Sequence, residues 1–449
     1  NGSDWRRAYL AKHPQPLESL VVSLGDDIYG FPLRARAVHE ALENGEELED
    51  VLLRVGEEDT RKVKWPPVLY KWPENSDGNP EILYRFNNDN LLQTGIFEAI
   101  GHWEKHTCLR FKEKTDGFPT PHVVFKSTDN CFSLLGRKVL FFLGQPLGLS
   151  DSCSIHVGVV IHEIGHAIGF HHEQNRIDRK NHVKVLWQNM ALDTFFNYIP
   201  TITENYNSPY DYYSVMHYSM LSFSKNGSST LVTKDPRKQG LMGYGDQLSH
   251  MDKRSANLQY DCIKKWLESC NLSEDPCQNF GYTGASCSCH CPEGTAGTNC
   301  ETLVKPYTEA LVEKLLPHNR VVRSEGNIST PEYPKPQQRG LQFTTIILAP
   351  RCSSIVLLFH DFDVRQRCSY TGGNNICCVD GVEIRTRGAD LTSGKWYCGR
   401  EISAGTEIKS EGSEIVMYYK GYNYTSIGYT ADYRGYHASV TFKPIPNCT

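Results

Sequence analysis

Apolar residues recur along this chain with two periods, and the changes of period mark its parts. Between Pro32 and Val55 they fall at Val38, Ala41, Leu42, Leu48, Val51 and Leu52, the spacing of an amphipathic helix in a charge-rich stretch. Leu91 to Lys105 repeats that helical spacing, while Val123-Val124-Phe125 reads as a short inner strand. Ile155 to Ile161 is apolar enough to bury a helix, and no proline interrupts it. After residue 326 the pattern turns to alternation, predicting strands at Thr344 to Leu348, Ser354 to Phe359, Gly381 to Arg385, Glu414 to Tyr419 and Ala438 to Phe442.

The apolar run at 155–161 leads into the segment with the most chemistry, His162-Glu163-Ile164-Gly165-His166-Ala167-Ile168-Gly169-Phe170-His171-His172-Glu173. This is H-E-x-x-H-x-x-G-x-x-H, an extended zinc-protease signature. His162 and His166 are four apart, so a helix stacks them on one face. Gly169 can take a left-handed turn that ends the helix and swings His172 back as a third ligand. Three imidazoles leave a fourth position for water, as a catalytic zinc requires. Glu163 is placed to take a proton from that water and return it to a leaving amine. His171, His156 and His217 are expected to take packing or surface roles rather than ligate.

Downstream, Tyr210-Asp211-Tyr212-Tyr213-Ser214-Val215-Met216-His217-Tyr218 ends in S-x-M-H-Y. Together with the histidine motif it resembles the astacin family of metzincins. The resemblance implies that Met216 forms an apolar floor beneath the metal. It also implies that Tyr218 is a displaceable fifth ligand that hydrogen-bonds the oxyanion, and a phenol donor beside zinc suits charge that develops only in the transition state.

Composition narrows the setting. A length of 449 residues suggests about three domains. A formal charge of −5 favours neither nucleic acid nor an acidic membrane as partner. Sixteen cysteines, dense after Cys262, and six N-x-S/T sequons point to an oxidising, secreted destination. The sequons start at Asn1, Asn226, Asn271, Asn327, Asn423 and Asn447, and Asn226, Asn271, Asn327 and Asn423 are the glycosylation candidates. No apolar run reaches the roughly 18 residues that span a bilayer. No leader opens the sequence, so one is expected to have been removed or left out. The last residues match neither a lipid-anchor nor a retention signal.

The resemblance extends to domain organisation. Residues 1–62 lack cysteine and fit an inhibitory pro-segment, with Arg61-Lys62 as its processing point. Family pro-segments present F-x-G-D, whose aspartate occupies the open zinc position. Here Ser23-Leu24-Gly25-Asp26-Asp27 keeps G-D without the phenylalanine, making Asp26, or Asp27 beside it, the candidate plug. Residues 63–263 would be the protease domain, a two-subdomain α+β fold with a mixed sheet and an active-site helix. Its Ile82-Leu83-Tyr84-Arg85-Phe86, Thr107-Cys108-Leu109-Arg110-Phe111, Arg176-Ile177-Asp178-Arg179 and Trp187-Gln188-Asn189-Met190 are family-like. The family implies the pairings Cys108–Cys262 and Cys131–Cys153. It further implies that the mature N-terminal amine turns inward toward Glu173.

Six cysteines between Cys270 and Cys300 resemble an EGF-like module at 266–301, too small to fold without disulfides. Its expected pairing is Cys270–Cys287, Cys277–Cys289 and Cys291–Cys300. A zinc knuckle fits less well, because two C-x-x-C pairs are lacking. Residues 302–325 read as a linker with a short helical stretch. Gly326 to Pro334, Asp380-Gly381-Val382-Glu383-Ile384 and Tyr397-Cys398-Gly399 resemble a CUB domain over 326–449, an all-β sandwich. Its usual first cysteine is missing, and Cys377-Cys378 leaves the bridge to Cys398 open. Asp363 and Asp380 correspond to calcium ligands of some CUB domains, but no third ligand matches near Asn423. Calcium is therefore not expected.

The sequence thus predicts a secreted, zinc-dependent endopeptidase made as a zymogen, in a layout resembling nematode astacins that act on matrix, cuticle or host-tissue proteins. The downstream modules would bind matrix or protein ligands, and no nucleic acid. Two other readings stand beside it: a catalytically silent adhesive protein, and a protease that processes growth-factor-like precursors.

Overall fold

In a computed structural model of the chain, the described residues are 71–87, 91–201, 203–243, 245–369, 375–377, 380–387, 394–421, 433–446 and 448, with 44, 51 and 54 singly. Asp26, Asp27, the basic pair at 61–62 and Asn423 lie outside them. The chain divides into two compact units. One contains residues 1–179, 192–218 and 243–310; the other contains 180–191, 219–242 and 311–449.

The first unit is built on a five-stranded sheet. Its strands are β1 (Glu81–Phe86), β2 (Arg110–Glu113), β3 (Val123–Ser127), β4 (Phe132–Ser133) and β5 (Gln145–Leu149). The order is β2-β1-β3-β5-β4, with only the short edge strand β4 antiparallel. Two helices, α1 (Thr94–His106) and α2 (Val157–Ala167), share one core with it. Trp103 of α1 is fully buried and donates its indole N–H to the carbonyl of Ile161, 3.1 Å away. Trp72 does the same to Ala167 at 2.8 Å. Each indole thus contributes apolar burial worth about 1.5–3 kcal/mol with its polar edge satisfied. The expected helix from Leu91 begins at Thr94 instead: Leu91 is buried in the core, so its apolar spacing reported burial and not helix.

Cys108–Cys262 and Cys131–Cys153 are closed, the first across 154 residues. A loop of that size restricts the unfolded chain by several kcal/mol, about 4–5 in the chain-entropy model. Cys262 starts helix α4 (Cys262–Ser269), which follows α3 (His250–Gln259). The cysteine-rich stretch then forms Cys270–Cys287, Cys277–Cys289 and Cys291–Cys300 around two short antiparallel strand pairs.

The second unit holds a two-stranded ladder, β6 (Val183–Val185) with β7 (Leu231–Thr233), and a β-sandwich. In chain order the sandwich strands are β8 (Arg320–Val322), β9 (Gly326–Ser329), β10 (Gln342–Leu348), β11 (Ser353–Asp363), β12 (Gly381–Arg385), β13 (Lys395–Tyr397), β14 (Glu407–Lys409), β15 (Glu414–Lys420) and β16 (Gly435–Pro444). One sheet runs β8-β10-β15-β12-β13, the other β9-β16-β11-β14. Strand β8 lies in the expected linker yet pairs parallel with β10. Three residues are too few to show alternation, which is why the sequence reads as connector there. Cys377, not Cys378, bridges Cys398, and Cys352 bridges Cys448.

Candidate metal centre

Helix α2 sets the site. His156 caps it in an extended conformation, and Gly169 ends it at φ +105°. The backbone bonds Phe170 N–H to Gly165 O (2.9 Å) and Gly169 N–H to His166 O (2.8 Å) form the six-to-one and five-to-two pair of a Schellman stop. A Cβ at position 169 would be strained, so glycine is what allows the chain to turn back toward the helix. After the turn, Glu173 N–H bonds Met216 O at 3.0 Å, tying the returning segment to the 214–218 turn.

His162, His166 and His172 converge. Their Nε2 atoms lie 3.1 Å (162–166), 3.2 Å (162–172) and 3.0 Å (166–172) apart. His162 Nδ1 donates to Val215 O and His166 Nδ1 to Phe170 O, both at 2.7 Å, which leaves each Nε2 lone pair pointing inward. Burial pushes all three imidazoles below their ordinary pKa, favouring the neutral form a metal needs. Three lone pairs this close repel unless a cation joins them. Tetrahedral zinc with Zn–N bonds near 2.05 Å would set nitrogens about 3.3 Å apart, so the donor set fits it. Among the described residues this is the one group of three or more His, Cys, Asp or Glu able to share an ion.

Glu163, next to His162 on α2, is buried at 1% exposure. The Tyr218 ring stands 4.3 Å from that of His172, centroid to centroid. Met216 is fully buried, and a Cβ on Gly165 would come within 2.6 Å of its sulfur. The glycine inside H-E-x-G-H therefore makes room for the Met216 side chain, a role the motif alone does not reveal.

Sequence reasoning missed the group that holds the 214–218 turn. Ser249 and Asp252 form a capping box at the start of α3. Asp252 also accepts from Ser214 Oγ (2.6 Å) and Val215 N–H (2.9 Å), while Ser249 Oγ donates to Asp211 at 2.5 Å. Burial first, then mutual repulsion with Asp252 and Glu173, raises the Asp211 pKa well above the carboxylate range. The S-x-x-D spacing was the available signal. Glu173 accepts from Arg176 (2.9 Å) and Asp211 N–H (2.8 Å), and burial lifts its pKa to about 7. It borders a cavity of about 460 Å³ shared with Arg176, Asp211, Ser214, Met216 and Asp252.

His217 packs as expected: Nε2 meets Tyr210 OH at 2.8 Å, and Nδ1 donates to Tyr218 O at 2.7 Å. Burial lowers its pKa to about 4. Between pH 6.5 and 4 the unfolded chain therefore binds the extra proton, so this histidine's contribution to stability is lost as pH falls through that window, at up to about 1.4 kcal/mol per pH unit. Urea midpoints at pH 7 and pH 4.5 should differ more for the parent chain than for His217→Gln.

In the second unit, Asp363 pairs with Arg400 (3.0 Å) and Arg434 (3.8 Å), whereas Asp380 acts on Lys420. The two aspartates considered for calcium are thus each engaged with cations of the chain. Asn226, Asn271 and Asn327 are exposed. Among the described residues no helix is long and apolar enough to cross a membrane.

Comparison with known proteins gives the setting of this centre. Residues 69–261 match the family model for the astacin peptidases, and residues 318–433 match the CUB domain. Blastula protease 10 of Paracentrotus lividus is 31% identical over 408 residues, 88% of this chain and 64% of its own length. Zinc metalloproteinase dpy-31 of Haemonchus contortus is 30% identical over 432 residues, 92% of this chain and 71% of its own. Among solved structures, high choriolytic enzyme 1, a hatching enzyme zinc-protease from Oryzias latipes, is 30% identical with a TM-score of 0.41, covering 44% of this chain and 98% of that one. The chain spans 53–64% of the length of the first relatives it matches.

Proposed function

The chain belongs to the astacin family of peptidases and carries its zinc metalloendopeptidase domain; from that membership we propose a secreted endopeptidase that cleaves extracellular or matrix proteins and is made as a zymogen. The convergence of three histidine Nε2 atoms, two of them from buried rings, beside a buried glutamate is the observation that carries this reading. His162, His166 and His172 would hold the ion. Zinc, when bound, supplies Lewis acidity that polarises a peptide carbonyl and acidifies water.

The chain's own residues do the rest. Glu163 takes the proton of the attacking water and returns it to the leaving amine, a task suited to a carboxylate fixed on a rigid helix. Tyr218 donates a hydrogen bond to the oxygen that becomes negative as the carbonyl is attacked. Met216, packed against Gly165, would form the apolar floor of the site, while Asp252 fixes the backbone of the turn bearing Met216 and Tyr218. Asp26 or Asp27 would silence the site in the precursor, and the trimmed N-terminus would turn inward toward Glu173, whose carboxylate borders the 460 Å³ cavity.

The oxyanion role is open to direct test. Tyr218→Phe should keep zinc and KM but lose about tenfold to a hundredfold in kcat, the worth of one hydrogen bond to a charged group. An unchanged kcat would remove Tyr218 from the mechanism.

A further inference from the structure

The second unit joins two parts of the chain that the family models treat as separate domains: residues 180–191 and 219–242 of the protease, and the CUB sandwich. The join is polar, buried and specific. Ser229 and Glu383 are both fully buried, and Ser229 Oγ donates to Glu383 Oε1 at 3.0 Å. Gly394 N–H donates to the same oxygen at 2.9 Å, and Arg385 clamps Oε2 through Nε (3.0 Å) and Nη2 (2.6 Å). Trp396 Nε1 reaches Ser229 Oγ at 3.4 Å. Nearby, Thr344 Oγ1 donates to Pro236 O (2.9 Å) and Asn319 Nδ2 to Arg237 O (2.8 Å). Two glycines let side chains pack closely onto the backbone: a Cβ on Gly227 would come within 2.7 Å of Ile376, and one on Gly240 within 2.9 Å of Leu316.

Beside Ser229, Thr230 ties the segment back to Met220 and Ser222. Thr230 N–H bonds Met220 O at 2.8 Å, Thr230 Oγ1 bonds Ser222 O at 2.7 Å, and Leu186 N–H bonds Thr230 O at 2.8 Å. Met220 is two residues beyond Tyr218. A sandwich serving only as a flexible tether has no need to spend a buried carboxylate on a serine of the protease. A buried carboxylate held by Arg385 and Gly394 on one side and by Ser229 on the other instead favours one register between the parts, because a slip costs Oε1 its serine donor in a place water does not reach.

We propose that the CUB sandwich is a brace for the protease segment that follows Tyr218, with Ser229 and Glu383 as positioning residues that keep residues 219–242 in the conformation the active site uses. This rests on the endopeptidase reading for its kinetic consequence, but its structural half stands apart from it. The recognition of protein ligands by the CUB module would then be a second use of a domain that already completes the enzyme.

The test compares the full chain with Ser229→Ala, Glu383→Gln and the conservative Ser229→Thr. Amide hydrogen exchange over 219–242 should quicken about tenfold in the first two, as expected when a buried hydrogen bond to a charge is lost, and recover in Ser229→Thr. With a short peptide that spans only the cleft, kcat should fall several-fold while KM and zinc content hold. Unchanged exchange in both variants overturns the brace whatever the chain's activity proves to be. Quickened exchange with unchanged short-peptide kcat overturns the link to Tyr218. An inactive parent chain would count against the endopeptidase reading, with the exchange result still deciding the brace.

Discussion

Glu163→Ala should leave the metal in place and lower turnover by at least about two orders of magnitude, the usual worth of a positioned general base. Both halves of that expectation come from geometry. The proposed ligands are His162, His166 and His172, and the Nδ1 hydrogen bonds of His162 and His166 run to the backbone carbonyls of Val215 and Phe170, which the substitution does not touch. Alanine is also a strong helix former, so α2 is not weakened at that position. What is lost is the one carboxylate that stands next to a ligand on the same buried helix. Zinc analysis together with kcat on a protein substrate separates the two halves. Normal turnover in the zinc-loaded variant would refute the general-base assignment.

His166→Ala should act in the opposite way, releasing the ion and abolishing cleavage together. His166 is fully buried, and its Nε2 is within 3.0–3.1 Å of both partners. Removing it leaves two donors and a hole in the protein interior. Two imidazoles hold zinc far more weakly than three, because coordination is shared among few bonds and each counts heavily. Metal content after dialysis should fall from about one ion per chain to nearly none, while urea denaturation should still report a folded protein secured by Cys108–Cys262. Retention of one ion by the variant would mean that the true ligand set is another.

The parts of this molecule that were legible in sequence are those whose signal is local. The three histidines and Glu163 sit within eleven residues, and helix period plus one glycine turn suffice to bring them together. Met216 and Tyr218 lie more than forty residues on, and only a family-like pattern connected them to the histidines. The supports of the site escaped notice because they are common polar residues meeting across the fold: Asp252 reaches Ser214 and Val215 over 38 and 37 positions. Its capping-box spacing with Ser249 marked a helix start, yet nothing in that spacing says the same carboxylate also grips another turn. Gly165 reads as a helix weakness until the methionine sulfur beneath it is placed.

The sandwich shows the same division. Strands β10, β11, β12, β15 and β16 followed from alternation to within a few residues, while the three-residue β8 did not. The choice between Cys377 and Cys378 could not be made from sequence, since adjacent residues differ only in the face they present. Nor could the joining of residues 219–242 with the CUB sandwich be read, because Ser229 and Glu383 are 154 positions apart and neither belongs to a motif.

Cleavage of casein by the purified chain, before and after removal of residues 1–62 and with and without a zinc chelator, tests the central claim most directly. The account predicts little cleavage by the untrimmed chain, clear cleavage after trimming, loss of it with the chelator and return of it with added zinc. Cleavage that persists when zinc is stripped, or a trimmed and zinc-loaded chain that cuts nothing, would contradict it.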